Sequence, residues 1–332
     1  MGMDETRENR IENTPILEVK NLKKYFSVSA GLVHAVDDIS FSIDAGRTLG
    51  VVGESGCGKS TLGRVLIHLL ESNAGQILFS GRDITHVDRQ ELTTLRKKMQ
   101  MIFQDPYSSL NPRMSLYESI AEPLRIMGHD NSGQIQEKVY RIMDTVGLAR
   151  RLVNSYPHEL DGGRRQRIGI ARALVIEPEF VVCDEPVSAL DVSIQAQILN
   201  LMSDIQEERK LTYIFVTHDL SVVKYISNDI LVMYLGQMVE KAPAKELFRH
   251  RLHPYTKALL SAVPLPDIRH KKRRIALKGE LTSPIDPPPG CRFASRCPYA
   301  REICHSKTPV CEEVLPDHFA ACHLVREING LS

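Results

Sequence analysis

Nine consecutive residues, beginning at Gly53, combine glycines, a lysine and three hydroxyl groups in the pattern G-x-x-x-x-G-K-[ST]. An apolar run leads into them at residues 49–52, and residues 62–70 follow with helical character. Between a strand and a helix, such glycines let backbone N–H groups point at phosphates, and the helix N-terminus adds its positive dipole end. Lys59 would reach the β- and γ-phosphates, and the Ser60 hydroxyl would ligate Mg²⁺. The pattern predicts a nucleoside triphosphate site formed by Gly53, Glu54, Ser55, Gly56, Cys57, Gly58, Lys59, Ser60 and Thr61.

A pair of carboxylates follows a second apolar run, residues 180–183. An acid that ends a strand in a doubly wound sheet lies at the strand's C-terminal edge, beside the phosphate-binding loop. We therefore expect Asp184 to hold Mg²⁺, directly or through water. Glu185 could polarise a water for in-line attack on the γ-phosphate. A turn that merely begins with two acids is the alternative, and the upstream P-loop favours the functional interpretation.

Two further polar residues follow apolar strands, and each has two interpretations. His218 could contact a γ-phosphate or the attacking water, or it could belong to a helix-capping His-Asp turn. Gln104 could reach Mg²⁺ through its amide oxygen, or it could be a solvated residue at a strand end. The residues alone do not decide between these interpretations.

A second glycine pair opens a helix at Gly162 and Gly163, which makes another helix N-terminus suited to phosphate. One P-loop is sufficient to bind one nucleotide. The second anion-binding helix start therefore suggests that it serves a nucleotide held by another molecule.

The elements that must position these residues alternate between strand and helix, which predicts an α/β fold with a mostly parallel sheet. Strands are expected at residues 48–52, 98–103, 180–183, 213–216 and 230–233, and the last three are continuous apolar runs. Residues 16–20 and 39–43 alternate like half-buried strands, and the strands at 39–43 and 76–80 suggest an added antiparallel piece. Residues 107–173 have a helical pattern interrupted by prolines and Gly128.

Bulk composition limits the possible classes of function. The 332 residues carry 42 basic and 41 acidic side chains, so net charge gives no case for binding nucleic acid or anionic lipid. No apolar run approaches the ~20 residues that span a bilayer, and the N-terminus is too polar for a signal peptide. We expect a cytosolic protein. Its predicted divisions are a disordered tail, 1–14, a nucleotide-binding domain, 15–264, with a helical subdomain at about 105–172, and a linker with a cysteine-rich domain, 265–332.

Taken in their order along the chain, the motifs of residues 16–263 resemble those of an ATP-binding cassette (ABC) ATPase. The resemblance implies a P-loop NTPase (RecA-like) core with an antiparallel β subdomain, a helical subdomain and a small cysteine-rich C-terminal extension. It implies that Phe26 stacks on adenine, that Gln104 is the Q-loop glutamine and a Mg²⁺ ligand, and that His218 is the switch histidine. Asp184 and Glu185 match the Walker B pair. The signature motif is Leu160, Asp161, Gly162, Gly163 and Arg164, and the D-loop is Ser188, Ala189, Leu190 and Asp191.

Finer motifs, at residues 53–58, 103–106, 109–112, 185–193 and 290–298, resemble ATPases of oligopeptide/dipeptide importers, and the P-loop is more similar to their F-type subunit. That resemblance implies ATP and Mg²⁺ as cofactors and hydrolysis that drives peptide import. It also implies a second ABC ATPase, two transmembrane permease subunits and an external binding protein, with this chain peripheral at the cytoplasmic face. The alternatives are an importer of nickel or another small solute, and a soluble ABC protein acting on nucleic acid or ribosomes. Such soluble relatives typically carry long coiled coils or two cassettes, and this chain has neither.

The signature departs from the family pattern Leu-Ser-Gly-Gly-Gln, because Asp161 replaces the serine and Arg164 replaces the glutamine. In the family that serine donates to ATP on the opposite subunit, which an ionised carboxylate cannot do. One hypothesis is that Asp161 turns away as the helix N-cap and that the glycine N–H groups bind. The other is that the site completed by this signature is slow or inactive. We favour the N-cap because aspartate is a good cap and both glycines are retained.

Five of the seven cysteines fall between Cys291 and Cys322. Their spacing fits zinc poorly, whereas all-thiolate ligation of iron–sulfur clusters tolerates varied spacing. The resemblance to peptide-importer ATPases implies a [4Fe–4S] cluster, and Cys311 falls outside the family pattern. Zinc and free thiols remain the alternatives. The cluster ligands would be Cys291, Cys297, Cys304 and Cys322.

Overall fold

A computed structural model describes residues 15–128, 131–262, 275, 277 and 283–331. The predicted disordered tail, 1–14, and most of the predicted linker lie outside the described residues. The strands of the described part are β1 (Leu17–Val28), β2 (Gly31–Ile43), β3 (Thr48–Val52), β4 (Ala74–Phe79), β5 (Arg82–Asp83), β6 (Met99–Ile102), β7 (Phe180–Asp184), β8 (Thr212–Thr217), β9 (Asp229–Tyr234), β10 (Gln237–Pro243), β11 (Glu312–Leu315) and β12 (His318–Ala320).

Helices connect and cover these strands, together with 3₁₀ turns at Arg150–Leu152, Pro157–Glu159 and Ala294–Arg296. The α-helices are α1 (Lys59–Leu66), α2 (Arg89–Lys98), α3 (Pro106–Ser109), α4 (Leu116–Met127), α5 (Ser132–Thr145), α6 (Gly162–Leu174), α7 (Val192–Arg209), α8 (Leu220–Ile226), α9 (Ala244–Arg249), α10 (Pro254–Ala262), α11 (Glu302–Ser306) and α12 (Val325–Asn329).

The larger sheet has eight strands in the order β11-β12-β10-β9-β3-β8-β7-β6. Strands β9, β3, β8, β7 and β6 are parallel, and every residue of β3, β7 and β8 is buried. Continuous apolar runs produce such strands because helices or a second layer cover both sheet faces. The C-terminal ends of β3, β7 and β8 therefore meet at one edge, and the P-loop, Glu185 and His218 follow directly from them.

The smaller sheet is antiparallel, in the order β2-β1-β4-β5. Its strands β1 and β2 form one long hairpin, paired from Leu17 with Ile43 to Val28 with Gly31. The sequence predicted only the apolar ends of this hairpin as strands. The middle of the hairpin was not predicted, because its polar residues do not alternate with apolar ones. These residues contact each other instead: Tyr25 donates to Asp37, and His34 Nδ1 lies 3.4 Å from the same carboxylate.

Adjacent residues of β7 divide the core between the two faces of the large sheet. Val182 packs with α1 and with Leu17 and Ile39 of the hairpin sheet. Val181 packs on the opposite face with the helical layer of α4 to α7. Contrary to the predicted break, Pro123 lies inside α4.

The cysteine-rich segment packs onto the large sheet. Strand β12 pairs antiparallel with β10, and β11 pairs with β12. Glu240 of β10 is fully buried and accepts from the backbone N–H groups of Leu252 and His253 at 2.7 and 2.9 Å. His318 Nε2 of β12 lies 2.7 Å from the same carboxylate. These bonds satisfy the buried charge and attach the C-terminal strands to the rest of the sheet.

Candidate nucleotide site

A cavity of about 510 Å³ lies between the P-loop and the β1–β2 hairpin. It brings together predicted residues from five separate parts of the chain. Its lining consists of Phe26, Val33, Ala35, Ser55, Gly56, Gly58, Lys59, Ser60, Thr61, Gln104, Glu185, His218 and Pro284.

The P-loop turns from β3 into α1 with a backbone that glycine permits. Gly58 caps α1 at φ +104°, in the left-handed region, and a Cβ atom there would overlap the Ala35 carbonyl oxygen. Lys59 is only 5% exposed, and its Nζ donates to the carbonyl oxygens of Gly53 and Glu54, each at 2.9 Å. The ammonium group is therefore held on the wall of the cavity. Cys57 packs inward, and burial raises the pKa of its thiol.

The predicted Mg²⁺ residues Ser60 and Asp184 are in direct contact. Ser60 Oγ donates to Asp184 Oδ1 at 2.7 Å, and Arg64 Nη2 lies 3.8 Å from the other carboxylate oxygen. Asp184 is 1% exposed, and burial raises its pKa although Ser60 and Arg64 oppose the shift. A hydroxyl and a buried carboxylate are oxygen ligands that suit Mg²⁺, whose charge would compensate the desolvated carboxylate. These residues fit the ion.

Glu185 makes side-chain contacts with both of the other predicted strand-end residues. Gln104 Nε2 donates to Glu185 Oε2 at 3.0 Å, and His218 Nδ1 lies 3.2 Å from Glu185 Oε1. Glu185 adopts φ +45°, an uncommon backbone conformation that its N–H bond to the Val216 carbonyl holds in place. The helix-capping His-Asp turn that was the alternative interpretation is also present, because Asp219 caps α8 by accepting from Ser221 N at 2.7 Å.

The signature residues lie outside this cavity, at the start of α6. Asp161 is the N-cap: its Oδ1 accepts from Arg164 N at 2.8 Å, and its Oδ2 lies 3.2 Å from Arg164 Nη1. The two side chains are 59% and 48% exposed. Leu160 and Gly163 are buried, and Gly162 opens the helix. The Asp161 carboxylate therefore serves its own helix and its own arginine.

The D-loop connects Glu185 with the signature helix. Ser188 Oγ donates to the Glu185 carbonyl at 3.1 Å, and Asp191 caps α7 by accepting from Ile194 N at 3.1 Å. Ala189 is exposed, and Leu190 packs beside Gly162. The segment between Glu185 and α7 therefore contacts both the Glu185 backbone and the first residue of the signature helix.

The predicted iron–sulfur site is contradicted. Among the described residues, no group of three or more His, Cys, Asp or Glu side chains is placed to hold a metal ion. Cys291, Cys297, Cys304 and Cys322 do line one cavity, but its volume is only about 10 Å³. Burial raises the pKa of Cys291 to about 11 and also raises the pKa values of Cys297 and Cys322. Cys311 lies apart from this cavity.

The C-terminal segment, residues 283–331, contacts this site, and sequence reasoning missed these contacts. Pro284 lines the cavity, and Arg296 Nη1 donates to Glu54 Oε2 of the P-loop at 2.8 Å. Both residues lie more than 200 positions from their contacts along the chain, and nothing local in a proline-rich stretch or an arginine indicates such a partner. Pairing of a distant arginine with a P-loop acid has no signal in a single sequence.

A P-loop beside a strand-end acid pair on a mostly parallel sheet defines a P-loop nucleoside triphosphatase. Residues 36–188 match the ABC transporter family, and residues 239–304 match the oligopeptide/dipeptide transporter C-terminal region. The chain belongs to the ABC transporter ATPases, within the family of oligopeptide transport ATP-binding proteins. No helix in the described ranges is both long enough and apolar enough to cross a bilayer.

Relatives and solved structures agree with this assignment. The chain is 52% identical to the oligopeptide transport ATP-binding protein AppF of Bacillus subtilis, over 93% of this chain and 97% of the relative. It is 51% identical to OppF of Haemophilus influenzae, over 92% and 93% of the two chains. Among solved structures it resembles cbiO1 of Clostridium perfringens, at 29% identity and a TM-score of 0.64 over 71% of this chain and 92% of that one. It also resembles the dimeric ATP-binding cassette MJ0796 bound to ADP and Pi, at 26% identity and a TM-score of 0.63, over 69% of this chain and 98% of that one.

Proposed function

We propose that this chain is the ATP-hydrolysing subunit that energises import of di- and oligopeptides through a membrane transporter. The observation that carries the proposal is the contact of Glu185 with Gln104 and His218 on the wall of a cavity that also holds Lys59. The names of the relatives at 46–52% identity supply the substrate class.

Within the site, each group has a role that its position supports. Lys59 and the P-loop N–H groups bind the β- and γ-phosphates, and Phe26 stacks on the adenine. Mg²⁺, held by Ser60 and Asp184 with Gln104 close by, would neutralise charge on the phosphates. Glu185 accepts the proton of the attacking water, and His218 orients that water or contacts the γ-phosphate. Lys59, Glu185 and His218 all face one cavity, so a single bound nucleotide can meet them together.

The signature motif, Leu160–Arg164, acts on ATP held by a second ATPase subunit, and the D-loop couples the two sites. Support comes from the position of the motif, outside this chain's own cavity and exposed at Asp161 and Arg164. The assembly includes two permease subunits and receives peptide from an external binding protein. The chain is peripheral at the cytoplasmic face. Residues 15–264 form the ATPase domain, and 265–332 form its C-terminal extension.

Vesicle transport tests this proposal. The chain is extracted from membranes with its co-purifying subunits, reconstituted in vesicles and supplied with binding protein and labelled peptides. We expect ATP-dependent peptide uptake that Lys59→Ala abolishes and that Lys245→Ala, at an exposed lysine remote from the cavity, leaves unchanged. ATP-dependent uptake of nickel or another small solute without peptide would contradict the substrate class. Purification without any membrane subunit would contradict the transport role.

A further inference from the structure

The cavity has a second end, formed by the hairpin and by a residue from the C-terminal segment. Ala35 approaches the P-loop at Gly58, and Val33 lies two residues further along β2, opposite Phe26 of β1. At ~3.3 Å per strand residue, Val33 and its strand partner Phe26 lie about 7 Å from Ala35 along the hairpin. Pro284 lines the same cavity. This end is therefore an apolar and aromatic surface set away from the phosphate-binding groups.

Pro284 is held against the hairpin by backbone pairing. The His34 N–H donates to the Pro284 carbonyl at 3.0 Å, and Ile285 pairs antiparallel with Val33. The Asp286 N–H donates to the Leu32 carbonyl at 2.9 Å, and the Leu32 N–H donates to Asp286 Oδ1 at 3.2 Å. Because β2 is the edge strand of its sheet, this segment covers an otherwise unpaired edge. The proline ring is therefore fixed in position.

Two buried arginines of the C-terminal segment reinforce this position. Arg292, 6% exposed in its side chain, donates to Asp37 of the hairpin and to the Leu235 carbonyl. Arg296, 9% exposed, donates to Glu54 of the P-loop at 2.8 Å. One segment thus contacts both the hairpin and the P-loop, which form the two ends of the cavity.

We propose that Pro284 is a base-contacting residue of the nucleotide site, so that the C-terminal segment completes the wall on which the base of ATP packs. The proposal rests on the proposed function, because it assumes that the cavity binds ATP. Proline has no N–H, and the Pro284 carbonyl already accepts from His34, so the residue offers only its ring. Such a contact favours any flat heterocycle and does not distinguish adenine from guanine.

Binding measurements with and without a base test this proposal. Calorimetry on the full chain compares Mg²⁺·ATP, Mg²⁺·GTP and Mg²⁺·tripolyphosphate, which has no base. We expect Pro284→Ala to weaken ATP and GTP about fivefold each, roughly the loss of one to two buried methylene contacts, and to leave tripolyphosphate unchanged. The substitution keeps the carbonyl that accepts from His34. The matched control is Pro288→Ala, at an exposed proline of the same segment that does not line the cavity, and it should change no affinity.

Two results would overturn the proposal. Unchanged ATP affinity in Pro284→Ala would show that the ring makes no contact with the base. Equal losses for ATP and tripolyphosphate would show that Pro284 acts only by supporting the P-loop. Failure of the proposed function looks different: a cavity that is not a nucleotide site would leave the unsubstituted chain binding none of the three ligands, and failure of peptide import would appear only in the vesicle assay.

Discussion

Two regions of this molecule are built in opposite ways. The P-loop end consists of residues 53–61 and Asp184, and the signature end consists of residues 160–164. Lys59 and Asp184 are 5% and 1% exposed, and both are hydrogen-bonded: Lys59 donates to two P-loop carbonyls, and Asp184 accepts from Ser60. Asp161 and Arg164 are about half exposed, contact each other and face away from the cavity. One end is therefore organised before a nucleotide arrives. The other is an exposed surface outside that cavity, where the proposed contact with a second subunit's nucleotide would be made.

Removing the proposed general base, Glu185, should distinguish the P-loop end from the signature end most strongly. We expect Glu185→Gln to lower ATP turnover about 10²- to 10⁴-fold, because a general base is lost, while ATP affinity is retained. Phosphate release by the purified transporter measures the first and calorimetry the second. Glu179→Gln, at an exposed glutamate paired with Lys98, is the matched control. Turnover within threefold of the unsubstituted chain would mean that Glu185 is not the base.

The P-loop end also depends on the C-terminal segment. Arg296→Met should lower the free energy of unfolding by about 1.5–3 kcal/mol, because a buried charged hydrogen bond to Glu54 is lost. Arg301→Met, in the same segment, removes an exposed ion pair with Glu327 and should cost ~0–1 kcal/mol. Chemical denaturation compares the two variants. Equal effects would show that Arg296 does not support the P-loop.

The buried end should also respond to pH. Burial raises the pKa of Asp184, so its carboxylate takes up a proton at a higher pH than an ordinary aspartate does. The apo protein therefore gains stability from this group as pH falls through the raised pKa, because the folded state binds the proton more tightly than the unfolded chain. Mg²⁺ needs the ionised form, so Mg²⁺·ATP affinity should fall on acidification by up to about tenfold per pH unit.

Asp184→Asn should remove this pH dependence of binding. Asp144→Asn should leave it intact, since Arg150 lowers the pKa of that exposed carboxyl by hydrogen bonding. Calorimetric titrations at a series of pH values distinguish the variants. A slope that survives in Asp184→Asn would assign the titration to another group.

The smallest effects are expected at the signature end. Asp161→Ala should cost about 1 kcal/mol of stability through loss of the N-cap, while Asp161→Ser keeps a cap and should cost little. If the role of Asp161 is to cap the helix, vanadate trapping at the partner's site should change by less than about threefold in Asp161→Ser. That limit corresponds to a change of under about 1 kcal/mol in the activation free energy of hydrolysis. A large gain in trapping would instead show that Asp161 holds that site slow.

Local signals in the sequence predicted the strand-to-helix turn at the P-loop, the position of Asp184 at a strand end and the cap at Asp161, because each depends on a few neighbouring residues. The same signals could not reveal Pro284 or Arg296, whose contacts lie across the fold. The error at the cysteines has the same origin. Spacing and resemblance suggested a ligand set, but tertiary packing decides where the thiols lie, and among the described residues it places no group suited to hold a metal ion.

We propose that ATP bound to this P-loop is also contacted by the signature motif of another ATPase subunit. Sedimentation of the Glu185→Gln chain, together with the ATPase subunit that co-purifies with it, tests this directly because bound ATP is not consumed. We predict separate monomers without nucleotide and a dimer of ATPase subunits with Mg²⁺·ATP, since a ligand that binds across an interface stabilises it. Stoichiometric ATP binding by subunits that remain monomeric would contradict the claim.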